Sequence, residues 1–266
     1  MISAFDADTA ITDLGDGTYA TRVNSRWSIG TVPNGGYSSS AMLRAMVAAS
    51  GRPDPLSVTT HYYRPTVADT EATITTDLHR EGRSFANVSA AMVQEGKERT
   101  RATAVLGELP RDNPAGTQPA VPVIAPPDQC VPRSSAGQGI PLPLMDMIDV
   151  RIDPAPEPLP GDPAALLRAW IRFTDERPPD PLALAMFVDA FPPAVTASHA
   201  KIGWVPTLEL TLHLRRRPVA GWVAAEIRAD DIAGNRLIED VRLWDESGAL
   251  VAQARQFAML GQSQSL

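Results

Sequence analysis

The sequence has very little of the chemistry that forms disulfides or binds transition metals. Cys130 is its only cysteine, which excludes a disulfide framework within the chain and makes a cysteine-based metal site unexpected. The four histidines occur in neither an H-x-x-x-H nor an H-E-x-x-H pattern. We therefore predict a protein without a metal ion and without a cofactor.

Long apolar runs and an excess of basic charge are also lacking. No stretch approaches the roughly 20 apolar residues that a membrane-spanning helix needs. The first residues do not have the basic and apolar regions of a signal peptide. The net charge is −7, whereas nucleic-acid binding depends on basic surface. These features predict a cytoplasmic protein with no membrane span and no nucleic-acid partner.

One helical stretch is almost free of charge. In residues 36–50, which follow a Pro-Asn-Gly-Gly sequence, Arg44 is the only charged residue. A helix on a protein surface would carry a polar face, so this helix is predicted to be surrounded by other elements. Asn34 is suited to cap its N-terminus, while Gly35 and Gly36 permit a tight turn and a close backbone approach.

Two parts of the chain share the same order of features. Each has an apolar helical pattern, then a strand pattern that ends in Arg-Pro, then further strand patterns separated by glycine turns. The helical patterns cover residues 36–50 and 181–191, and the first strand patterns cover 57–65 and 207–218. The turn glycines are Gly82 and Gly96 in one part and Gly234 and Gly248 in the other, 14 residues apart in both.

This repeat predicts a fold. A long apolar helix and one curved antiparallel sheet bury each other only if the sheet wraps the helix, which is the hotdog arrangement. The predicted class is α+β: a double hotdog of two repeats, each with a long apolar helix wrapped by a curved antiparallel β-sheet. The predicted boundaries are 1–108 for the N-terminal unit, 109–163 for a proline-rich linker and 164–266 for the C-terminal unit, which would carry the active site.

Three motifs add a family resemblance. They are Trp27-Ser-Ile-Gly-Thr-Val-Pro-Asn-Gly-Gly-Tyr, Gly82-Arg-Ser-Phe with Gln94-Glu-Gly, and Leu243-Trp-Asp-Glu-Ser-Gly-Ala-Leu-Val-Ala-Gln-Ala-Arg-Gln. They resemble, in this order, the Gly-Gly motif, the first-half hairpins and the C-terminal segment of the acyl-CoA thioesterase II (TesB-like) family. The resemblance covers nearly the whole chain except the proline-rich linker.

The resemblance implies a hydrolase of fatty acyl-CoA that orients and activates a water with an Asp, a Thr and a Gln. The matching residues are Asp189 on the second helix, Thr207 at the start of the following strand and Gln256 in the last strand. Glu209 stands where the family usually has Asp, and Leu210 where some members have His. The implied partner is an acyl-CoA substrate, and no cofactor is implied.

The same residues can be interpreted without the family. Asp189 is the only charge in residues 181–191, so it is either poised for chemistry, which we favour, or a cap for the next segment. Gln256 shares a strand face with three alanines, which favours one inward amide; a core glutamine satisfied by backbone is the alternative. Alternation along the strand turns Thr207 away from Asp189 unless a bulge re-aims it, so alternation alone makes it an ordinary β-strand threonine.

The helix entry supplies candidate substrate-binding residues. They are Asn34, Gly35, Gly36 and Tyr37. Free N–H groups at a helix N-terminus can polarise a thioester carbonyl, and we expect such a role here. The counterpart of Gln256 in the first part is Ala104, and that of Thr207 is Pro55 or Leu56, so we expect one active site per chain.

Two other functions remain open from the sequence. One is a non-hydrolytic protein of this fold that binds acyl-CoA or an acyl carrier. The other is an enoyl-CoA hydratase-like enzyme, although its Asp/His pair is supplied neither around His61 nor around His199. Because a hotdog sheet exposes an edge and a back face, we also expect a homo-oligomer.

Overall fold

The computed structural model describes residues 2–110, 116–154, 165–198 and 205–261. Its helices are α1 Ala4–Asp8, α2 Gly35–Ser50, α3 Ser135–Gln138, α4 Pro181–Phe187 and α5 Val195–Ser198. Its strands are β1 Thr12–Gly15, β2 Thr18–Val23, β3 Ser28–Ile29, β4 Val32–Pro33, β5 Asp54–Tyr62, β6 Thr70–Glu81, β7 Ala86–Gln94, β8 Lys97–Gly107, β9 Val131–Pro132, β10 Ile148–Ile152, β11 Ala165–Phe173, β12 Thr207–Leu214, β13 Val223–Ala233, β14 Arg236–Trp244 and β15 Leu250–Met259. None of the helices in these ranges is long and apolar enough to cross a membrane.

One large antiparallel sheet runs through the described residues, and its strand order repeats outward from the middle. From the paired strands β5 and β12, one side continues with β8, β7, β6, β2 and β1. The other side continues with β15, β14, β13, β11, β10 and β9. The predicted hairpins are confirmed in both parts of the chain. Counted outward from the middle, the strands of the two sides correspond one to one as far as β2 on one side and β11 on the other.

Helix α2 is buried as the sequence predicts. Asn34 caps it, since its Oδ1 accepts a hydrogen bond from the Tyr37 N–H at 2.9 Å. Gly51 ends it with φ 64°, a left-handed conformation that favours glycine. The helix packs on β6, β7 and α4, with Met42 and Met46 fully buried. A helix with a single charged residue is therefore stable here because protein surrounds it.

The second helix corrects the prediction. A helix over 181–191 is expected from the apolar pattern, but α4 has only seven residues and ends at Phe187. The N–H groups of Asp189 and Ala190 then bond to carbonyls three residues back, those of Met186 and Phe187. Pro192 disfavours a helical conformation at the preceding residue, so the helix cannot continue past this turn. Asp189 consequently lies in a turn after the helix.

The proline-rich segment contributes to the structure. Its described residues include α3 and the strands β9 and β10, which extend the sheet beyond β11 through the pairing of β10 with β11. Arg133 follows β9 directly, and its N–H donates to the carbonyl of Val150 in β10. Residues 111–115 and 155–164 of this segment lie outside the described ranges.

Candidate active site

A cavity of about 560 Å³ lies where the two parts of the chain meet. This size suits a small-molecule site. Its lining includes the apolar side chains of Ile29, Val32, Ile140, Val188, Phe191 and Leu208. It also includes the polar side chains of Asn34, Arg133, Asp189, Thr207, Glu239 and Gln256. The structure thus brings the three catalytic candidates of the sequence into one cavity.

Asp189 is partly buried, and its carboxylate is held from one side by the start of α2. Its Oδ2 accepts hydrogen bonds from the Gly36 N–H at 2.8 Å and from Asn34 Nδ2 at 2.9 Å. Desolvation nevertheless raises the pKa of the Asp189 carboxyl to about 6, against the lowering effect of the bonds from Gly36, Gly35, Thr207 and Asn34. A carboxyl with this pKa is largely ionised at neutral pH and remains a usable base.

The two glycines before Tyr37 have a steric reason. A Cβ on Gly36 would lie 2.6 Å from the Ala185 carbonyl oxygen, and one on Gly35 would lie 2.8 Å from a ring carbon of Tyr62. Only glycine lets the helix N-terminus come this close to the turn that carries Asp189. The positive end of the helix dipole then stabilises the carboxylate.

This contact corrects two expectations about the helix entry. The Gly36 N–H donates to Asp189, so it is not free to polarise a thioester carbonyl. Tyr37 lies away from the cavity: it is 1% exposed, stacks on Trp27 at 5.3 Å, and its hydroxyl donates to the Asp8 carbonyl. Tyr37 is therefore a core residue, whereas Asn34 and Gly35 do line the cavity.

A bulge decides the direction of Thr207. The pairing of β12 with β15 shifts by one residue between Thr207 and Glu209, which leaves Leu208 without a partner. Thr207 Oγ1 donates to Gln256 Oε1 at 3.2 Å, and the same hydroxyl lies near enough to the Asp189 carboxylate to lower the pKa of that group. The regular alternation that would turn Thr207 away from Asp189 does not hold at this point.

Gln256 has the inward position that its alanine neighbours indicate. It is 7% exposed, and Ala252, Ala254 and Ala258 on the same face are buried. Its two amide ends have different partners: Oε1 accepts from Thr207, and Nε2 donates to Glu239 Oε1 at 2.8 Å. Within the described ranges the Gln256 side chain is therefore held by other side chains and not by backbone groups.

Glu239 is a site residue that the sequence analysis missed. It lies on β14 opposite Gln256 and is 3% exposed. Its Oε2 accepts from the Ala194 N–H at 2.6 Å. Burial raises its pKa to about 7 despite these hydrogen bonds. The sequence does contain a pattern that indicates this position. Glu239 alternates with Leu237, Val241 and Leu243, so its side chain is expected on the inward face of the strand.

Arg133 is the second missed residue. It is 7% exposed, lines the cavity, and donates through Nε to Gln138 Oε1 at 2.6 Å and through Nη1 to the Ala190 carbonyl. Burial lowers its pKa to about 10, although the nearby Asp189 charge opposes this change. The guanidinium stays charged at neutral pH beside the turn that carries Asp189. No local pattern in the proline-rich segment distinguishes this arginine from a surface one.

Comparison with known proteins agrees with this arrangement. Residues 23–107 match the model of the acyl-CoA thioesterase N-terminal domain, and residues 127–260 match that of the acyl-CoA thioesterase C-terminal domain. The chain belongs to the acyl-CoA thioesterase family. An uncharacterized protein of Mycobacterium tuberculosis is 28% identical to this acyl-CoA thioesterase family member, over 90% of this chain and 89% of that protein.

Solved structures show the same fold. A Thermobifida fusca protein provisionally assigned as a thioesterase II is 29% identical, with a TM-score of 0.87 over 98% of both chains. A hot dog fold protein of Alicyclobacillus acidocaldarius is 24% identical, with a TM-score of 0.85 over 98% of this chain and 99% of that one. The acyl-CoA thioesterase II TesB2 of Mycobacterium marinum is 22% identical, with a TM-score of 0.79 over 99% and 100%. The family resemblance and the hotdog assignment are confirmed.

Proposed function

We propose that this protein hydrolyses acyl-CoA thioesters with a water held by Asp189, Thr207 and Gln256. Membership of the acyl-CoA thioesterase family supports the reaction type. The observation that carries the residue assignment is the Asp189 carboxylate, which lines the cavity beside Thr207 and has a pKa raised to about 6. Such a group is ionised at neutral pH yet basic enough for general-base catalysis.

The steps follow from the hydrogen bonds. Asp189 accepts a proton from the water as its oxygen attacks the thioester carbonyl carbon. The carbon–sulfur bond then breaks, and the departing CoA thiolate takes up the proton that Asp189 holds. The products are a carboxylic acid and CoA thiol, and Asp189 is again a carboxylate. Thr207 and Gln256, already bonded to each other, orient the water through their remaining hydrogen-bonding capacity.

The apolar side chains of the cavity lining are the proposed place for the acyl chain. Its side chains include Ile29, Val32, Ile140 and Phe191. Burial of a chain against them contributes about 0.8 kcal/mol for each CH₂ group removed from water. The charged and polar groups of the lining are then left for the thioester.

The competing functions find less support. A protein that only binds acyl-CoA would need this cavity but has no use for a carboxylate desolvated beside two further polar side chains. An enoyl-CoA hydratase-like enzyme needs an Asp/His pair, and no histidine is present among the described residues that line the cavity. Hydrolysis instead gives a role to each of the three polar side chains, Asp189, Thr207 and Gln256.

The organisation of the chain is part of the proposal. We interpret the two halves of the sheet as two hotdog units, 1–108 and 164–266, joined by the segment 109–163. The outward repetition of strand order from β5 and β12 supports this interpretation. Homo-oligomer formation stays a prediction for a size measurement in solution.

The test is thiol release from straight-chain and branched acyl-CoAs, with Asp189→Asn compared with the unaltered protein. We expect kcat to fall about 100-fold or more, because the amide cannot accept the proton. The kcat of the unaltered protein should rise with pH through about 6, since Asp189 must be ionised to act. Asp149→Asn is the control, because that carboxylate forms an ion pair with Arg151 outside the cavity.

Two results would contradict the proposal. Equal turnover by Asp189→Asn, with the fold intact by circular dichroism, would remove Asp189 from the mechanism. Saturable binding of acyl-CoA without thiol release from any chain length would make the protein a binder.

A further inference from the structure

A second carboxylate is hydrogen-bonded to one member of the proposed site. Glu239 and Gln256 are opposite each other on β14 and β15, and both side chains line the cavity. Each Glu239 oxygen has a donor: Gln256 Nε2 at 2.8 Å and the Ala194 N–H at 2.6 Å. Among the described residues, Glu239 forms no ion pair with a basic side chain.

The carboxylate restricts the amide to one orientation. An ionised carboxylate only accepts hydrogen bonds, so Gln256 must turn its NH₂ end toward Glu239. Its oxygen end then faces Thr207, which donates to it at 3.2 Å. A protonated Glu239 could donate, and the reversed amide would then be allowed.

This restriction passes to the Thr207 hydroxyl. That hydroxyl has one hydrogen and two acceptors within reach, the Gln256 oxygen and the Asp189 carboxylate. If the Gln256 amide reversed, its NH₂ end would face Thr207 and the hydroxyl hydrogen would go to Asp189. The charge on Glu239 therefore determines which of the two acceptors receives the hydrogen bond from the Thr207 hydroxyl.

We propose that Glu239 is a positioning residue that locks the orientation of the Gln256 amide and, through it, the direction of the Thr207 hydroxyl. The inference rests on the proposed function, since the water that these groups orient is the water of thioester hydrolysis. With the lock in place, one Nε2 hydrogen and one Oε1 lone pair of Gln256 stay available at fixed positions. Such preorganisation lowers the cost of placing the attacking water.

The titratable groups around Glu239 are few. Asp189 in the same cavity and Asp240, the next residue of the strand, both raise its pKa by charge repulsion. The elements packed against it present groups that do not titrate: Ala229 on β13, Gln256 on β15 and Ala194 after α4. Other charged or titratable residues of the cavity lining are Tyr62, Tyr63, Arg64 and Arg133.

The first experiment compares the pH dependence of kcat for three proteins: unaltered, Glu239→Gln and Asp240→Asn. Glu239→Gln keeps the shape and the bond to Ala194 but lets either end of the Gln256 amide face it. We expect kcat to fall about 10-fold or more with KM nearly unchanged. The acid limb should move to lower pH: in the unaltered protein protonation of Glu239 near pH 7 adds to that of Asp189 near pH 6, whereas in Glu239→Gln only Asp189 sets it. Asp240→Asn should keep the kcat of the unaltered protein, since Asp240 pairs with Arg255 on the outer face. Its acid limb should shift only slightly to lower pH, because this variant removes the charge repulsion of Asp240 on Glu239.

A second variant separates positioning from packing. Glu239→Asp keeps the charge but shortens the side chain, so it should lose activity while retaining an acid limb near that of the unaltered protein. If Glu239→Gln shows the kcat and pH profile of Asp240→Asn, the proposal is wrong.

A measurement without turnover distinguishes this proposal from the proposed function. With ¹⁵N-labelled glutamine, the side-chain amide signal of Gln256 should shift with pH with a midpoint near 7, and the shift should vanish in Glu239→Gln. If no acyl-CoA is hydrolysed but the shift occurs, the proposed function fails and the orientation by Glu239 stands. An amide signal that ignores pH in the unaltered protein would overturn the orientation itself.

Discussion

The two halves of the sheet differ at one buried cross-strand pair. In β14 and β15 the pair is Glu239 and Gln256, and both side chains are buried and hydrogen-bonded to each other. At the corresponding place in β7 and β8, the residue opposite Ala104 is Val88, and both are buried. The same strand plan therefore holds an apolar contact in one half and a polar network in the other.

The bulge in β12 also has a counterpart in the other half of the sheet. Leu56 on β5 is left without a partner between Pro55 and Ser57, as Leu208 is on β12 between Thr207 and Glu209. The bulge thus belongs to the common plan of both halves. What differs is the residue placed before it, since Thr207 has a hydroxyl that reaches the cavity and Pro55 has no side-chain donor. Function in this fold depends on a few substitutions at positions that both halves share.

The largest expected effect on stability comes from placing a glutamate in the apolar pair of the first half. Val88→Glu would bury a carboxylate where the opposite residue is Ala104, which cannot hydrogen-bond to it. We expect a loss of about 3–5 kcal/mol in the free energy of unfolding at pH 8, measured by urea denaturation. Asn87→Glu is the control, because Asn87 is the exposed neighbour; it should change stability by about 0.5 kcal/mol or less.

A Val88→Glu protein as stable as Asn87→Glu would contradict this view of the two halves. It would mean that the first half can hydrate or pair a buried carboxylate. The difference in function would then have to come from elsewhere than the polarity of this pair.

A smaller change in the free energy of unfolding is expected when the pH is raised and Glu239 loses its proton. The pKa of Glu239 in the folded protein is about 7, above its ordinary value of 4.5, so the folded state binds this proton more tightly. The stability that this provides is present below about 4.5 and is lost as pH rises through 7. Between pH 5 and pH 8 the loss should be about 1–3 kcal/mol.

Glu239→Gln should remove this part of the pH dependence, because the amide does not titrate. Denaturation at pH 5 and pH 8 measures it, with Asp240→Asn as the variant that should keep the loss. An identical pH dependence of stability in Glu239→Gln and the unaltered protein would mean that folding does not raise the pKa of Glu239.

The smallest effect is expected where the halves join. Thr211 Oγ1 donates to Glu209 Oε1 at 2.6 Å, so the 2.9 Å bond between Thr59 and Thr211 must use the Thr59 hydrogen. Thr59→Val should lower the free energy of unfolding by about 0.5–1.5 kcal/mol. Thr103→Val is the control, since Thr103 lies opposite Thr59 on β8 and is exposed. A loss in the control equal to that of Thr59→Val would remove this hydrogen bond as the cause.

Much of the fold could be predicted because its signals are local. The stretch before Gly51, with only one charged residue, forms a buried helix, and the glycine turns separate strands that do form hairpins. The length of the second helix could not be read from apolarity alone, since the turn at Asp189 is favoured by Pro192 and by the contact with Gly36. The contribution of Arg133 was hidden because a proline-rich segment has no periodicity that indicates which side chains turn inward.

The sequence by itself determined the kinds of element and their order, because strand alternation, helix capping and turn chemistry act over a few residues. Its own patterns indicated Asp189 and Gln256 as candidates, and the family resemblance added Thr207. Only the tertiary structure decided how they meet. Asn34 holds Asp189 across a separation of 155 residues, and Thr207 reaches Gln256 across 49. Contacts at such separations depend on how helix and sheet pack, so a raised pKa or a locked amide exists only after that packing is complete.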